Sequence, residues 1–243
     1  MYYPYPIFLP AVNTILYSYE TSDWIGKGIV LLLCAISVFA WIIMLEKYIV
    51  MKRTRAEVNS FLDHYDASQS PLDLVLSIER FSGPLAETYR SGIDTMVDIL
   101  QMDARTVDRH CRDRNLPRPL TEIEVARIKN VMERATSLQV ARLEARMTVL
   151  GTFISVAPLL GLLGTVWGIL VAFCQLAEKG RADISALAPG VAGALLTTVA
   201  GLLVAIPAAV GYNGLTTRVQ HLTDTMYDFA DELVSRLHLL NRD

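Results

Sequence analysis

An uncharged stretch of thirty-one residues, 147–177, constrains this chain more than any other feature. As an α-helix it would be roughly 45 Å long, at about 1.5 Å per residue. The hydrocarbon core of a bilayer is about 30 Å thick, so the stretch predicts a transmembrane helix that tilts or protrudes. In a chain of 243 residues with 52% hydrophobic residues and a mean hydropathy of +0.35, such a helix indicates an integral membrane protein.

Two further segments have the composition of membrane spans. Residues 28–45 are uncharged, and residues 187–213 lie within a longer uncharged stretch, 184–217. Each is long enough to cross the hydrocarbon core as a helix. The sequence therefore predicts an all-α membrane protein with three transmembrane helices and a large first loop. The second and third helices are predicted to extend beyond the membrane as long helices.

The Lys and Arg residues near the spans predict the orientation. Four basic residues follow the first span and four precede the second, whereas the N-terminus has none before Lys27 and the loop between the second and third spans has two. Basic residues close to a span favour the cytoplasmic side. The large loop is therefore predicted to be cytoplasmic and the N-terminus external. The residues counted are Lys47, Lys52, Arg53, Arg55, Lys129, Arg134, Arg142, Arg146, Lys179 and Arg181.

This topology divides the chain into seven predicted segments. They are an external N-terminal segment (1–27), the first transmembrane helix (28–45), a cytoplasmic helical domain (46–146), the second transmembrane helix (147–177), an external loop (178–186), the third transmembrane helix (187–213) and a cytoplasmic C-terminal helix (214–243).

Two of the cytoplasmic segments are predicted to be helical up to the membrane. Thr121 and Glu124 have the spacing of a capping box, and no Gly or Pro follows before Gly151. One uninterrupted helix is therefore predicted to run from there into the second span. From Leu215 to Leu240 apolar residues recur mostly every three or four positions, which predicts a helix that packs against partner proteins.

Small residues recur at helical spacing on the second and third spans. They leave smooth sides where another backbone can approach closely. Pro158 and Pro207 lie inside these spans and are predicted to kink them. The predicted packing residues are Gly161, Gly164, Gly168, Gly190, Gly193 and Gly201.

The spans contain no Asp, Glu, Lys, Arg or His between their flanks, so only hydroxyl groups are available for a polar pathway. A threonine in a membrane helix usually bonds back to its own backbone. Thr165 and Thr198 are the better candidates, because each lies mid-span beside a glycine-rich face. If they line a pore, the protonatable group must come from another chain. The candidate pathway residues are Thr148, Thr152, Ser155, Thr165, Thr197 and Thr198.

The sequence gives no sign of an enzyme, a cofactor or a metal site. Cys34, Cys111 and Cys174 are scattered, and His110 beside Cys111 is too small a cluster for a metal. Residues 161–168 lack the Gly-Lys-Ser/Thr ending of a phosphate-binding loop. A net charge of −3 gives no reason to expect nucleic acid as a partner.

Two motifs in the second and third spans resemble a known family. They are G-L-L-G-T-V-W-G-I, at 161–169, and A-P-G-V-A-G-A-L-L-T-T-V-A-G-L-L-V-A-I-P-A, at 188–208, followed by Tyr212 and Asn213. Together with the three spans and the large first loop, they resemble the ExbB/TolQ/MotA proton-channel proteins, and within them the ExbB/TolQ branch. The likeness is strong over 151–213, and elsewhere it is a likeness of layout.

The resemblance implies a homopentamer in the bacterial inner membrane, with the second and third spans lining a central pore. The pore would hold the single membrane helices of a dimeric ExbD/TolR-like partner, whose aspartate carries the proton. Thr165 and Thr198 align with the two pore threonines that face this aspartate. The implied function is a motor subunit that converts the proton-motive force into mechanical work on the cell envelope.

One position departs from the family pattern. ExbB and TolQ proteins typically have a glutamate after P-G-x-A, where this chain has Gly193. Either this glutamate is dispensable, or the protein belongs to a divergent branch that serves another machine, such as gliding motility. The change places more of the proton chemistry on the partner, and it favours protons over sodium because a dehydrated sodium ion needs several oxygen ligands.

Two other classes of function remain open at this point. One is a membrane scaffold that anchors cytoplasmic partners without conducting ions, in which case the pore threonines would only pack. The other is a self-contained secondary transporter, which three spans without an inverted repeat or a central charge do not favour.

Overall fold

The computed structural model describes residues 15–20, 22–179 and 184–240 of the chain. These ranges contain helices and turns, and no strand. The helices are α1 (Trp24–Asp66), a 3-10 helix (Val75–Arg80), α2 (Pro84–Leu100), α3 (Ala104–Asp113), α4 (Glu122–Glu144), α5 (Met147–Lys179) and α6 (Ile184–Leu239), and residues 15–20 are also helical.

Three of the described helical stretches are long and apolar enough to cross a membrane, and they contain α1, α5 and α6. Much of their apolar surface is not covered by the chain itself. Leu31 and Phe39 of α1, Leu163 of α5 and Leu203 of α6 are all exposed. Such surface is stable against lipid or other apolar helices but costly in water. The prediction of an all-α membrane protein with three spanning helices is confirmed.

The chain forms two compact units. The first contains the described residues of 1–45 and 146–214, and the second contains the described residues of 46–145 and 215–243. In the first unit, Leu33 of α1 is fully buried against Ala157 of α5 and Ala205 of α6. Small side chains at the centre of this cluster allow the three helices to lie close together.

The second unit has an aromatic core. Phe61, Tyr65, Tyr89 and Phe229 are nearly or fully buried, and Phe61 packs edge-to-face on Phe229 with ring centroids 5.4 Å apart. The hydroxyl of Tyr89 donates a hydrogen bond to the carbonyl oxygen of Pro71 at 2.7 Å. Large aromatic side chains bury much apolar surface, so this cluster contributes strongly to the stability of the unit.

Helices α2 and α4 pack closely within the second unit. A Cβ atom at Gly92 would lie 2.7 Å from the sulfur of Met132, so a side chain at this position would have to displace the fully buried Met132 side chain. One turn away, the buried hydroxyls of Thr88 and Thr136 lie 3.3 Å apart. Helix α2 begins at Pro84, a residue that favours the first helical position, after Gly83 with a φ of 102°.

The C-terminal part of α6 differs from the prediction. Its apolar residues are not exposed for a partner protein to cover, because they are buried within the second unit of this chain. Phe229, for example, contacts Tyr65 with ring centroids 5.0 Å apart. The prediction that this face packs against partners is therefore wrong. The buried residues are Leu215, Val219, Leu222, Met226, Phe229, Leu233 and Leu237.

The helix that enters the second span is interrupted. The capping box at Thr121 and Glu124 is present, as predicted. However, α4 ends at Glu144 and α5 begins at Met147, and Arg146 between them has a φ of 67°. The prediction of one uninterrupted helix is wrong at this point, since a left-handed residue cannot continue an α-helix.

Two other predicted segments are only partly described. The N-terminal segment, 1–27, is described from residue 15 onwards except for residue 21, and the loop, 178–186, is described only at its ends. Arg181, which entered the count of basic residues, lies outside the described residues. The apolar spacing of Leu72–Ile78 indicates a short amphipathic helix, but the second half of this segment belongs instead to the 3-10 helix that begins at Val75.

Candidate functional site

The backbones of α5 and α6 approach closely at a pair of glycines. A Cβ atom at Gly161 would lie 2.8 Å from the carbonyl oxygen of Thr197 and 3.0 Å from the Cα of Thr198. A Cβ atom at Gly201 would lie 2.6 Å from the carbonyl oxygen of Ala157. Because these neighbours are backbone atoms, they cannot move aside as a flexible side chain would. Glycine at both positions is therefore what lets the two helices meet.

The close contact continues towards the C-terminal end of α5 and the N-terminal end of α6. A Cβ atom at Gly168 would lie 2.8 Å from the Cβ of Ala194, and one at Gly190 would lie 3.0 Å from the Cβ of Ala172. A Cβ atom at Gly164 would meet the side chain of Thr197. Five of the six glycines predicted to pack thus lie in the α5–α6 contact of this chain, and Gly193 is described separately below.

Three threonine hydroxyls converge at this contact. The Oγ1 of Thr165 donates to the carbonyl oxygens of Gly161 at 3.2 Å and Ala194 at 3.1 Å. The Oγ1 of Thr197 reaches the same two carbonyls, at 3.0 and 2.6 Å. The hydroxyl of Thr198 bonds to that of Thr165 and lies 3.3 Å from the oxygen of Gly161. We call these three side chains the threonine cluster.

The threonine cluster has more possible hydrogen bonds than hydrogens. Each hydroxyl has one hydrogen and can both donate and accept. Thr165 has three acceptors within reach and Thr197 has two, so several hydrogen-bond arrangements share nearly the same positions of the heavy atoms. A group of hydroxyls that can exchange donor and acceptor roles is suited to orienting a proton donor or a water molecule. Threonine hydroxyls do not take up an additional proton at neutral pH, so the cluster cannot itself be the proton carrier.

The other predicted pathway residues lie apart from the threonine cluster. Thr152 donates to the carbonyl oxygen of Thr148 at 3.0 Å, and Ser155 donates to that of Gly151 at 3.2 Å. Both are exposed and form the bond to their own helix that is usual for such residues. Pro158 and Pro207 lie inside α5 and α6, as expected, and both are half-buried.

Gly193 faces the N-terminal segment of the chain. A Cβ atom there would lie 2.5 Å from the Oγ of Ser22 and 3.1 Å from the carbonyl oxygen of Ser18. Ser18 and Ser22 therefore lie in the space that a side chain at this position would need.

One polar contact was missed by the sequence reasoning. The Oδ2 of Asp23 accepts a hydrogen bond from the indole Nε1–H of Trp167, at 2.7 Å. Both residues are half-buried. Asp23 lines a cavity of about 180 Å³, together with Ser22, Gly26 and residues of α5 and α6. The position of Asp23 before an apolar helix indicates a helix cap, but no local signal indicates a partner 144 residues away.

The arrangement gives no sign of metal or cofactor chemistry. Within the ranges that the structure describes, no group of three His, Cys, Asp or Glu side chains is placed to hold a metal ion. The chemical resources of the site are hydroxyls, backbone carbonyls, one indole and one carboxylate.

Comparison with known proteins identifies the family. The model of the MotA/TolQ/ExbB proton channel family matches residues 99–228, which include the threonine cluster and most of α6. The chain belongs to this family. The match covers more than half of the chain, and it fits the three apolar helices described above. The protein is thus a bacterial inner-membrane protein of the proton-channel family.

Several curated relatives are similar over most of the chain. The Tol-Pal system protein TolQ of Haemophilus influenzae is 30% identical over 210 residues, which are 86% of this chain and 87% of the relative. TolQ of Pseudomonas aeruginosa is 31% identical over 213 residues, 86% of each chain. The biopolymer transport protein ExbB of Neisseria meningitidis is 28% identical over 219 residues, 90% of this chain and 94% of the relative. The similarity to TolQ and to ExbB is of the same order.

Proposed function

We propose that this protein is the channel subunit of an inner-membrane motor that converts the proton-motive force into mechanical work on the cell envelope. It would act with an ExbD/TolR-like partner. The observation that supports this proposal best is the threonine cluster, in which hydroxyls from α5 and α6 meet at the closest approach of the two helices. The family membership makes proton conduction the natural use of such a group.

The partner would supply the group that carries the proton. The described parts of α5 and α6 have no Asp, Glu, Lys, Arg or His between Met147 and Ala177 or between residues 187 and 213. A proton crossing the hydrocarbon core normally needs such a group. We infer that an aspartate on the single span of the partner faces Thr165 and Thr198. The pore would be formed by several copies of this chain, and we propose five.

The exposed apolar surface of the spans supports an assembly of this kind. Leu162 and Val166 of α5 and Leu195 and Val199 of α6 are exposed in the single chain. They flank the threonine cluster in sequence, so in the assembly this surface would be covered by lipid, by neighbouring copies or by the helices of the partner. We propose that lipid covers the outer surface and that protein covers the surface nearest the pore.

The proposed topology follows the basic residues near the spans. The N-terminal segment (1–27) and the loop (178–186) would be periplasmic. The helical domain (46–146) and the C-terminal helix (214–243) would be cytoplasmic. Each proton that crosses would then release about 2.3 kcal/mol per 100 mV of membrane potential. A few protons suffice for a conformational step of the partner against the ring.

The envelope process that receives the force is not assigned to one system. Relatives of similar identity are named for the Tol-Pal system and for biopolymer transport. The proposal therefore includes a Tol-Pal-type, a TonB-type import or a gliding-type system. Deletion of the gene would separate them, since loss of envelope constriction, of uptake or of surface motility would each indicate one of the three.

Replacement of the cluster hydroxyls tests the proposal. Thr165→Val and Thr198→Val keep the size of the side chain and remove the hydroxyl, so each is expected to abolish work output while the assembled complex is still recovered. The matched control is Thr225→Val, which removes a hydroxyl that only donates to the carbonyl of His221 on the same helix as Thr198. Normal output from both cluster variants would refute a role of the cluster in proton transfer.

A further inference from the structure

A cavity of about 180 Å³ in the first unit is lined by a carboxylate, that of Asp23, which has no role in the proton pathway proposed above. The cavity is lined by small residues of α5 and α6 and by a few polar side chains, including Ser22, Asp23, Gln175 and Thr197. At about 30 Å³ of liquid volume per molecule, a polar cavity of this size has room for a few water molecules. Asp23 is the only acidic or basic residue among the described residues that line it.

Asp23 is held at the cavity by two hydrogen bonds with different roles. Its Oδ1 accepts from the backbone N–H of Gly26 at 2.9 Å, which caps α1. Its Oδ2 accepts from the indole of Trp167 at 2.7 Å, a bond that capping does not require. The second bond fixes the carboxylate against α5, the helix that carries Thr165.

The carboxylate has no basic counterpart within the described ranges, where no ion pair involves Asp23. Lys27, one turn further along α1, instead donates from Nζ to the carbonyl oxygen of Glu20 at 3.1 Å and lies over the ring of Tyr19. The described part of α6 has no titratable residue between residues 187 and 211. The titratable residues on the other surrounding elements are Tyr17, Tyr19 and Glu20 before α1, Lys27 on α1, and Cys174 and Glu178 on α5.

The position of Asp23 depends on the missing side chain at Gly193. A Cβ atom at Gly193 would lie 2.5 Å from the Oγ of Ser22 and 3.1 Å from the carbonyl oxygen of Ser18, so a side chain at this position would have to displace these two residues. Those residues lead directly into Asp23. The packing that leaves no room for a side chain at 193 therefore also places a carboxylate from the start of α1 beside the same cavity.

The cavity reaches the threonine cluster. Thr197 lines the cavity, and its hydroxyl bonds to the carbonyl oxygens of Gly161 and Ala194, which Thr165 also contacts. We propose that Asp23 is a proton-binding residue of this protein, which takes protons at the cavity and delivers them towards the threonine cluster. A hydronium ion transfers its proton to a carboxylate oxygen and leaves as water, and transfer of the proton to cavity water restores the carboxylate. The direction of this transfer rests on the proposed function.

Trp167 provides a built-in reporter for the test. In the full chain with Trp24→Phe and Trp41→Phe, reconstituted in lipid nanodiscs, the emission of Trp167 is recorded between pH 4 and 9. We expect one titration, because protonation of Asp23 removes the negative charge from the acceptor of the indole hydrogen bond. Asp23→Asn keeps one acceptor oxygen, which can make either the cap or the bond to the indole, and it cannot take up a proton, so the titration should disappear. Asp23→Ser should behave in the same way.

Proton flux through the complex with its partner is the second measurement. We expect at least a tenfold loss with Asp23→Asn and no loss with Asp103→Asn. The second variant is a matched change at the cap of α3, where Asp103 accepts from the backbone of Thr106 at 2.9 Å. Persistence of the titration in the Asn variant, or flux within twofold of the unmodified protein, overturns the proposal. A complex that never conducts, but whose Trp167 titrates only with Asp23 present, refutes the proposed function and leaves the proton-binding site standing.

Discussion

Substitution of Gly161 or Gly201 by alanine should lower the free energy of unfolding, because α5 and α6 are too close at these positions to admit a Cβ atom. A new Cβ at Gly161 would lie 2.8 Å from the carbonyl oxygen of Thr197, and one at Gly201 would lie 2.6 Å from that of Ala157. Both neighbours are backbone, so the helices must separate by several tenths of an ångström. Overpacking of this kind costs about 1–3 kcal/mol. Separation also lengthens the hydrogen bonds that Thr197 and Thr198 make to Gly161.

Two other glycines provide matched controls. Gly28→Ala and Gly214→Ala add the same methyl group within helices of the first unit, where no atom lies within 4 Å of the new Cβ. Both kinds of variant gain the helix propensity of alanine, roughly 0.5–1 kcal/mol. The difference between contact and control variants is therefore the overpacking cost alone, about 1–3 kcal/mol.

The assay is reversible unfolding of the purified single chain by a denaturing detergent, followed by circular dichroism. The free energies of unfolding of the Gly161 and Gly201 variants are compared with those of the Gly28 and Gly214 variants. If the two groups agree within about 0.5 kcal/mol, the usual scatter between independent sites, the close approach of α5 and α6 is not what selects glycine.

Two further predictions concern the second unit. The pKa of Glu124 is lowered to about 2, first by the hydrogen bond from Arg118 and then by that from the backbone of Thr121. Its contribution to stability is therefore present above the usual glutamate pKa of 4.5 and lost as the pH falls towards 2. Glu124→Ala should lower Tm at pH 7 but not at pH 2, and an equal loss at both would contradict the cause. Tyr89→Phe leaves the buried carbonyl of Pro71 without its donor and should cost about 1–3 kcal/mol in chemical unfolding, whereas no measurable cost would show that water replaces the hydroxyl.

Much of the architecture can be predicted because its causes are local. Uncharged runs longer than a bilayer core predict the spans, and the Thr121–Glu124 spacing predicts the start of α4. The break before α2 follows from Gly83 and Pro84, which disfavour a continuing helix. Each of these signals lies within a few residues of the feature that it predicts.

Other features depend on contacts between distant parts of the chain. Ala145 and Arg146 are both compatible with a helix, so nothing nearby predicts that Arg146 has a φ of 67°. Asp23 meets Trp167 across 144 positions. The apolar face of α6 beyond Leu215 shows that something covers it, but its periodicity cannot distinguish a partner from the chain itself.

The sequence predicts only part of the threonine cluster, because the contacts within it join distant parts of the chain. The mid-span positions of Thr165 and Thr198 beside glycines favour these two residues from the sequence alone. The convergence of Thr165, Thr197 and Thr198 on the carbonyls of Gly161 and Ala194 depends on the packing register of two helices. A change of one residue in that register would move these hydroxyls to different neighbours.

Proton flux in sealed vesicles tests the central claim most directly, namely that the threonine cluster passes protons only with a carboxylate supplied by a partner chain. Vesicles with a pH-sensitive dye and an imposed membrane potential would contain this chain alone, the chain with its partner, or the chain with a partner in which the span aspartate is replaced by asparagine. We predict proton uptake only with the unmodified partner. Selective uptake at the same rate by this chain alone would contradict the account.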